Sequence, residues 1–345
     1  MKKIMYKILE AMLVACMVLT MVGCGNEKNG EDGVNSRTIT DMSGRQLEIP
    51  QNISKYAISW VGATDILVML DDCEGMVAYP KTSSSYLKFV EKYVSDDIAM
   101  LPKENISAEE IIGTGAEVVF ARMADIEGIV EQLETAGVVV IDVEFTNYEE
   151  MLKAVELCAN VLGSEKAKEK ATSYIKYGED TLAMINDLIA NQAENAPTAL
   201  AIRDAKDFRA YGPGRFAGKW IEICGFRCPL ETDDPEAYVN LTAEELTKYD
   251  PDYIFFALPN EASVMLGDST WSGLKAYNEG KIYNCPEIYN TWCNQGSESL
   301  LQLYWACGIL YGDSAPFDTA EVVKEFYSEF YDLALSDEEV QELIQ

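Results

Sequence analysis

Histidine is absent from all 345 residues. That removes the usual general base near neutral pH and the commonest metal ligand. Ser-His-Asp and Cys-His catalysis, histidine-ligated zinc or manganese, and haem held through histidine are all excluded. No GxGxxG fingerprint and no phosphate-binding P-loop occurs. The remaining reactive side chains are nine cysteines, of which Cys224 and Cys228 are close in sequence. They could close a small loop, but three residues separate them, not the two of thiol-redox motifs. The other spacings are irregular and do not look like a disulfide framework, so most of these thiols are expected to be buried and reduced. No catalytic constellation assembles, and the chain reads as a non-enzyme.

The first 23 residues read as a secretory signal. Lys2, Lys3 and Lys7 form a basic start, and the apolar run to Gly23 is short for a membrane-spanning helix. It ends Met21-Val22-Gly23-Cys24, which resembles the box at which bacterial lipoproteins are cleaved and lipidated on cysteine. Leu13-Val14-Ala15-Cys16 fits that box slightly better at its first position, but Lys7 and Glu10 would interrupt the apolar core before it. Cys24 is therefore the expected lipidation site. Residues 24–36 follow as a polar, glycine-rich tether. Removing residues 1–23 takes away three lysines and one glutamate from 27 basic and 58 acidic residues, which leaves a net charge of −33. Such acidity argues against nucleic acid and against anionic lipid as binding surfaces.

From Arg37 the pattern becomes structural. Residues 37–40, a turn at 42–45 and residues 46–49 predict a β-hairpin. Strand-like and helix-like segments then alternate: 56–59, 63–70, 76–79, 108–112, 117–121, 126–136 and 138–143. This rhythm predicts a parallel sheet covered by helices. Between residues 164 and 192, Ala167, Ala171, Tyr174, Ile175, Leu182, Ile185, Leu188 and Ile189 recur at helical spacing, with Gly178 as a possible bend. The rhythm restarts at Ala199 with strands at 199–202 and 253–256 and helices at 217–224, 243–248, 298–310 and 319–331, before a polar end at 336–345.

A repeat ties the two halves together. Residues 107–120 read SAEEIIGTGAEVVF and residues 242–255 read TAEELTKYDPDYIF. Ser107 and Thr242 are placed to cap a helix, each with a glutamate three residues on, Glu110 and Glu245, as in a capping box. Glu109 and Glu244 are left without a capping role, although a negative charge there still favours the helix dipole. The expected architecture is α/β: two Rossmann-like lobes with central parallel sheets, joined by one long α-helix, with a ligand cleft between them. The expected boundaries are 37–163 for the N-terminal lobe, 164–194 for the connecting helix and 195–345 for the C-terminal lobe.

Along nearly its whole length after the signal, the chain resembles the substrate-binding lipoproteins of ABC importers for iron–siderophores, haem and cobalamin. The resemblance lies in residues 38–50 (TITDMSGRQLEIP), residues 57–67 (AISWVGATDIL), the two repeat copies, residues 211–216 (YGPGRF) leading into residues 221–225 (IEICG), and residues 297–311. It implies a ligand held between lobes whose closure is small, because a helix links them. It implies that Glu109 and Glu244 meet arginines of a membrane permease, with an ATPase behind it, and that the protein acts as a monomer without a resident cofactor. It puts the ligand on loops at the carboxyl ends of the strands, in agreement with the general rule for open α/β sheets. The candidates are Trp60, Tyr79, Lys81, Arg122, Met123, Arg203, Tyr211, Arg215, Phe216, Tyr289 and Trp292. Arginines grip carboxylates and aromatics stack on planar groups. With Arg209 added, four arginines lie near strand ends, so the expected cargo is a ferric-siderophore-type chelate, with haem or a corrinoid as the alternative. A surface thiol-redox protein using Cys224 and Cys228, or a sensory or adhesive lipoprotein, is the reading from another class.

Overall fold

The structure is a computed structural model that describes residues 36–70, 73–81, 98–102, 105–190, 196–258 and 269–345. The signal, Cys24 and all of the tether except Ser36 lie outside the described residues. Strands β1 (Ser36–Thr40) and β2 (Gln46–Pro50) pair antiparallel as the expected hairpin.

The N-terminal lobe follows. Its elements are β3 (Tyr56–Ile58), α1 (Val61–Met69), β4 (Met76–Pro80), β5 (Ala99–Leu101), α2 (Ala108–Gly113) and β6 (Val118–Ala121). The single helix expected at 126–136 is broken into α3 (Met123–Ile126), a 3-10 turn and α4 (Val130–Thr135), before β7 (Val139–Asp142). Strand order is β5-β4-β3-β6-β7, all parallel. A helix the sequence reading had not named, α5 (Tyr148–Leu162), closes the lobe. Asn147 caps its start by accepting from the Glu150 amide at 2.8 Å, and Gly163 ends it in the left-handed region.

The long connector is α6 (Glu165–Ala190), 26 residues or about 39 Å at about 1.5 Å per residue. Ser164 accepts a hydrogen bond from the Ala167 amide at 3.1 Å and so caps the start. The helix runs unbroken through Gly178. A Cβ at Gly178 would stand 2.5 Å from Leu152 Cδ2, so the glycine is there to let α5 approach α6 closely.

The C-terminal lobe comprises β8 (Ala199–Asp204), β9 (Arg209–Tyr211), α7 (Phe216–Ile223), β10 (Tyr238–Asn240), α8 (Ala243–Tyr249), β11 (Tyr253–Phe256), α9 (Ser269–Ser272), α10 (Lys275–Asn278) and β12 (Ile282–Asn284). It ends in α11 (Ser299–Tyr311), α12 (Thr319–Tyr331) and α13 (Asp337–Ile344). The polar end is thus a helix, started by a capping box between Ser336 and Glu339. Strand order is β10-β9-β8-β11-β12. Numbered within each lobe, both sheets therefore run 3-2-1-4-5. The second sheet is mixed, not parallel as expected, because β9 follows β8 as a tight hairpin and runs antiparallel to both of its neighbours.

The repeat is structural. In both copies the capping box is complete, and the helix leads into the strand next to the lobe's first strand: α2 into β6, α8 into β11. Period-two alternation then sorts side chains between the two faces of each sheet. Ala57, Val119 and Val140 pack outward with Ile111 of α2 and Leu133 of α4. Leu200, Ile202, Ile254 and Phe256 pack outward with Leu246 of α8 and with Trp271 and Leu274. The inner faces, through Ile58, Phe120, Ala201 and Phe255, join one apolar core with α5, α6, α11 and α12, and that core is continuous from one lobe to the other.

Candidate ligand-binding cleft

In a 3-2-1-4-5 sheet the chain turns opposite ways after strands one and four, which opens a crevice at their carboxyl ends. In the first lobe Trp60 stands just after β3 and Arg122 just after β6. In the second, Arg203 is the penultimate residue of β8.

Aromatic rings join the lobes here. The Trp60 ring meets Phe145 at 5.2 Å between centroids. Phe145 meets Phe216 of α7 at 5.6 Å, and Tyr148 meets Phe216 at 4.9 Å. Polar bonds cross beside them: Lys219 Nζ donates to the Thr146 carbonyl at 2.9 Å, and Gln295 Nε2 donates to the Phe145 carbonyl at 2.6 Å. Segment 143–148, which leaves β7, is therefore the N-lobe side of the junction, and α7 is the C-lobe side.

Next to that junction three arginines converge on one tyrosine. The guanidinium carbons of Arg203, Arg209 and Arg215 lie 5.1, 4.2 and 4.1 Å from the centroid of the Tyr238 ring. Arg203 Nη1 also donates to the Tyr238 hydroxyl at 2.8 Å, and Arg215 Nη1 donates to the Glu236 carbonyl at 2.6 Å. Tyr211 supports the ring at 5.4 Å. Arg209 Nε is buried without a hydrogen-bond partner among the described residues. A ring face attracts each cation, but it neutralises none of them. Three positive charges gathered on a strongly acidic chain make an anion-attracting patch. Arg215 immediately precedes Phe216, so the patch adjoins the interlobe rings.

The other candidates divide. Arg122 is held in its own lobe by a two-pronged bond to Asp125, at 3.0 and 2.5 Å. Glu144 lies near it; burial raises its pKa, and the Arg122 charge pulls it back. Lys81 is exposed, and its amide donates to the Leu101 carbonyl. Tyr79 is buried in β4. Met123 turns its sulfur toward Arg45 Nη2, 3.7 Å away in the hairpin turn. Tyr289 and Trp292 are both buried in the shared core. Tyr289 packs on Tyr327 and Tyr331, and Trp292 Nε1 donates to the Tyr327 hydroxyl at 3.0 Å. Neither offers a face to a ligand in this conformation. The sequence reading had missed Tyr238, Phe145 and Tyr148.

Glu109 and Glu244 are both exposed, while their neighbours Glu110 and Glu245 are engaged by the caps. A separate groove of about 850 Å³ runs between the hairpin and α5. Its arginine is already committed: Arg37 donates to the carbonyls of Asn160 and Val161 at the end of α5. The thiol-redox reading fails on placement. Cys224 is fully buried, its sulfur 3.6 Å from the Leu303 carbonyl, and burial pushes its pKa well above the ordinary range. Cys228 is a free thiol whose pKa burial also raises.

Two α/β lobes with the same strand order thus meet across the junction of Trp60, Phe145, Tyr148 and Phe216. The periplasmic binding protein family profile matches residues 61–289, and the chain belongs to that family, whose members bind solutes and are not enzymes. It is 23% identical over 303 residues to the Fe(3+)-citrate-binding protein YfmC of Bacillus subtilis, covering 83% of this chain and 90% of that one. It is 19% identical over 353 residues to the molybdate-binding protein MolA of Haemophilus influenzae, covering 94% and 96%. Among solved structures, a periplasmic solute binding protein from Veillonella parvula superposes with a TM-score of 0.78 at 20% identity, covering 90% of this chain and 97% of that one.

Proposed function

We propose that this protein is the extracytoplasmic solute-binding component of an ABC importer, and that it captures an anionic iron chelate of the ferric-citrate or siderophore type. The observation that carries the reading is the convergence of Arg203, Arg209 and Arg215 on Tyr238 beside the lobe junction. A chelate brings its own coordination shell and asks only for charge and shape, which suits a chain without histidine. Guanidinium groups bind carboxylate and catecholate oxygens through charge-assisted hydrogen bonds. The relatives bind ferric citrate and molybdate, both anions. Haem and corrinoids, the alternative cargo, have less need of three clustered cations.

Arg122, Trp60 and Phe216 complete the proposed cleft. The chain is held to the membrane by lipid on Cys24 and works as a monomer. Glu109 and Glu244, one on each lobe, engage the permease. The test is a fluorescence or calorimetric titration of residues 25–345 with ferric citrate, ferric siderophores, molybdate, haem and cobalamin. Saturable binding of a ferric chelate, weakened in Arg203→Ala and Arg215→Ala, supports the reading. Binding of haem or cobalamin that survives both substitutions overturns it.

A further inference from the structure

Two carboxyl groups lie fully buried where the lobes meet behind the cleft. Asp65 sits on α1 of the N-terminal lobe. Its Oδ2 accepts from the Ser297 amide at 2.8 Å and from Ser297 Oγ at 3.1 Å, and its Oδ1 accepts from the Ile66 amide at 2.9 Å. Ser297 lies 232 positions further along the chain, at the start of α11 in the other lobe. A Cβ on Gly296 would overlap Asp65 Oδ2, so this close approach requires glycine there. The hydroxyls of Tyr331 and Ser297 are hydrogen-bonded to each other, and Tyr174 of α6 donates to the Ser297 carbonyl at 2.6 Å.

The next residue, Glu298, repeats the arrangement. Its Oε2 accepts from the Asn290 amide at 2.7 Å, and its Oε1 accepts from the Tyr327 hydroxyl and from the Tyr289 amide at 3.4 Å. The titratable groups facing the pair are Tyr174 of α6, Cys158 of α5, Tyr327 and Tyr331 of α12, and Tyr289 of the loop before α11. Among the described residues no lysine or arginine pairs with either carboxyl.

We infer that Asp65, Ser297 and Glu298 form a proton-sensitive fastening between the lobes, tight when the carboxyls are neutral and loosened when both are charged. Two like charges in one dry site, with no cation beside them, repel each other and lose their hydration. Burial is the larger effect and outweighs the hydrogen bonds: the pKa of Asp65 rises to about 7 and that of Glu298 to about 8. In the unfolded chain both groups titrate near 4. The folded protein therefore holds more protons than the unfolded one between about pH 4 and pH 8, so stability from this site is fully present on the acid side. It is whole below about pH 4, falls across that interval, and is gone above about 7 for Asp65 and about 8 for Glu298.

The test needs no ligand, so its outcome is separate from that of the cargo titration. Residues 25–345 contain the whole compact unit that begins at Ser36. Thermal unfolding is followed from pH 5 to pH 9 for the wild-type protein and for Asp65→Asn, whose amide stands in for the neutral acid. The expected result is a melting temperature that gains on wild type as pH rises from 5 to about 7 and then keeps its lead to pH 9. A difference that stays constant across the range overturns the proposal. Carboxyl 13C titration of the unaltered protein decides the case should the variant fail to fold. A resonance that titrates near pH 7 supports the fastening, and all carboxyls titrating below about pH 5.5 overturns it.

Discussion

Tyr238 is half-buried and carries three guanidinium groups, yet its ring can offset only part of their charge. An anion that bonds two of them gains charge-assisted hydrogen bonds worth about 1.5–3 kcal/mol each. Arg203→Ala and Arg215→Ala should each weaken chelate binding about 10- to 100-fold by calorimetry. Arg215→Lys should recover little, because an ammonium lacks the planar fork. Tyr238→Phe keeps the ring and removes the 2.8 Å bond to Arg203, so its loss should be smaller than that of either arginine. The arginines were legible in sequence because they sit near recognisable strand ends. Tyr238 was not, since its strand is three residues long and only the folded sheet sets it across from Tyr211. Asp65 was hidden for a related reason: Ser297 and Tyr331, which bond its side chain and its carbonyl, lie 232 and 266 positions away.

Among the elements, local signals gave what local physics determines. The two capping boxes, the connector and most of the strand–helix alternation were readable because caps and periodicity act within a few residues. The antiparallel β9, the helix α5 and the break between α3 and α4 were not, because pairing direction and packing partner settle them. The α5–α6 contact offers a sharp test. Gly178→Ala places a methyl against Leu152 and should cost about 1–3 kcal/mol in urea unfolding. Leu152→Ala alone removes buried apolar contact and is destabilising as well. Together the two should cost clearly less than their sum, because each relieves the other. Additive costs would mean that the helices do not meet at this point.

At the scale of the molecule, the exposed acids Glu109 and Glu244 sit at corresponding places in the two lobes. Charge reversal at both, Glu109→Lys with Glu244→Lys, should cut transport in cells and weaken permease association in a salt-dependent manner. Chelate affinity of the isolated protein should stay unchanged. Fluorescence titration beside a cellular uptake assay separates the two effects; a loss of affinity would instead place these glutamates in the cleft. The inner faces of both sheets feed one apolar core, shared through α5, α6, α11 and α12. The topology counts two lobes, but calorimetry should count one. A single endotherm, with calorimetric and van't Hoff enthalpies in agreement, is expected from residues 25–345. For the same reason neither half, expressed alone, should fold: each would present to water the surface that its missing twin was meant to cover.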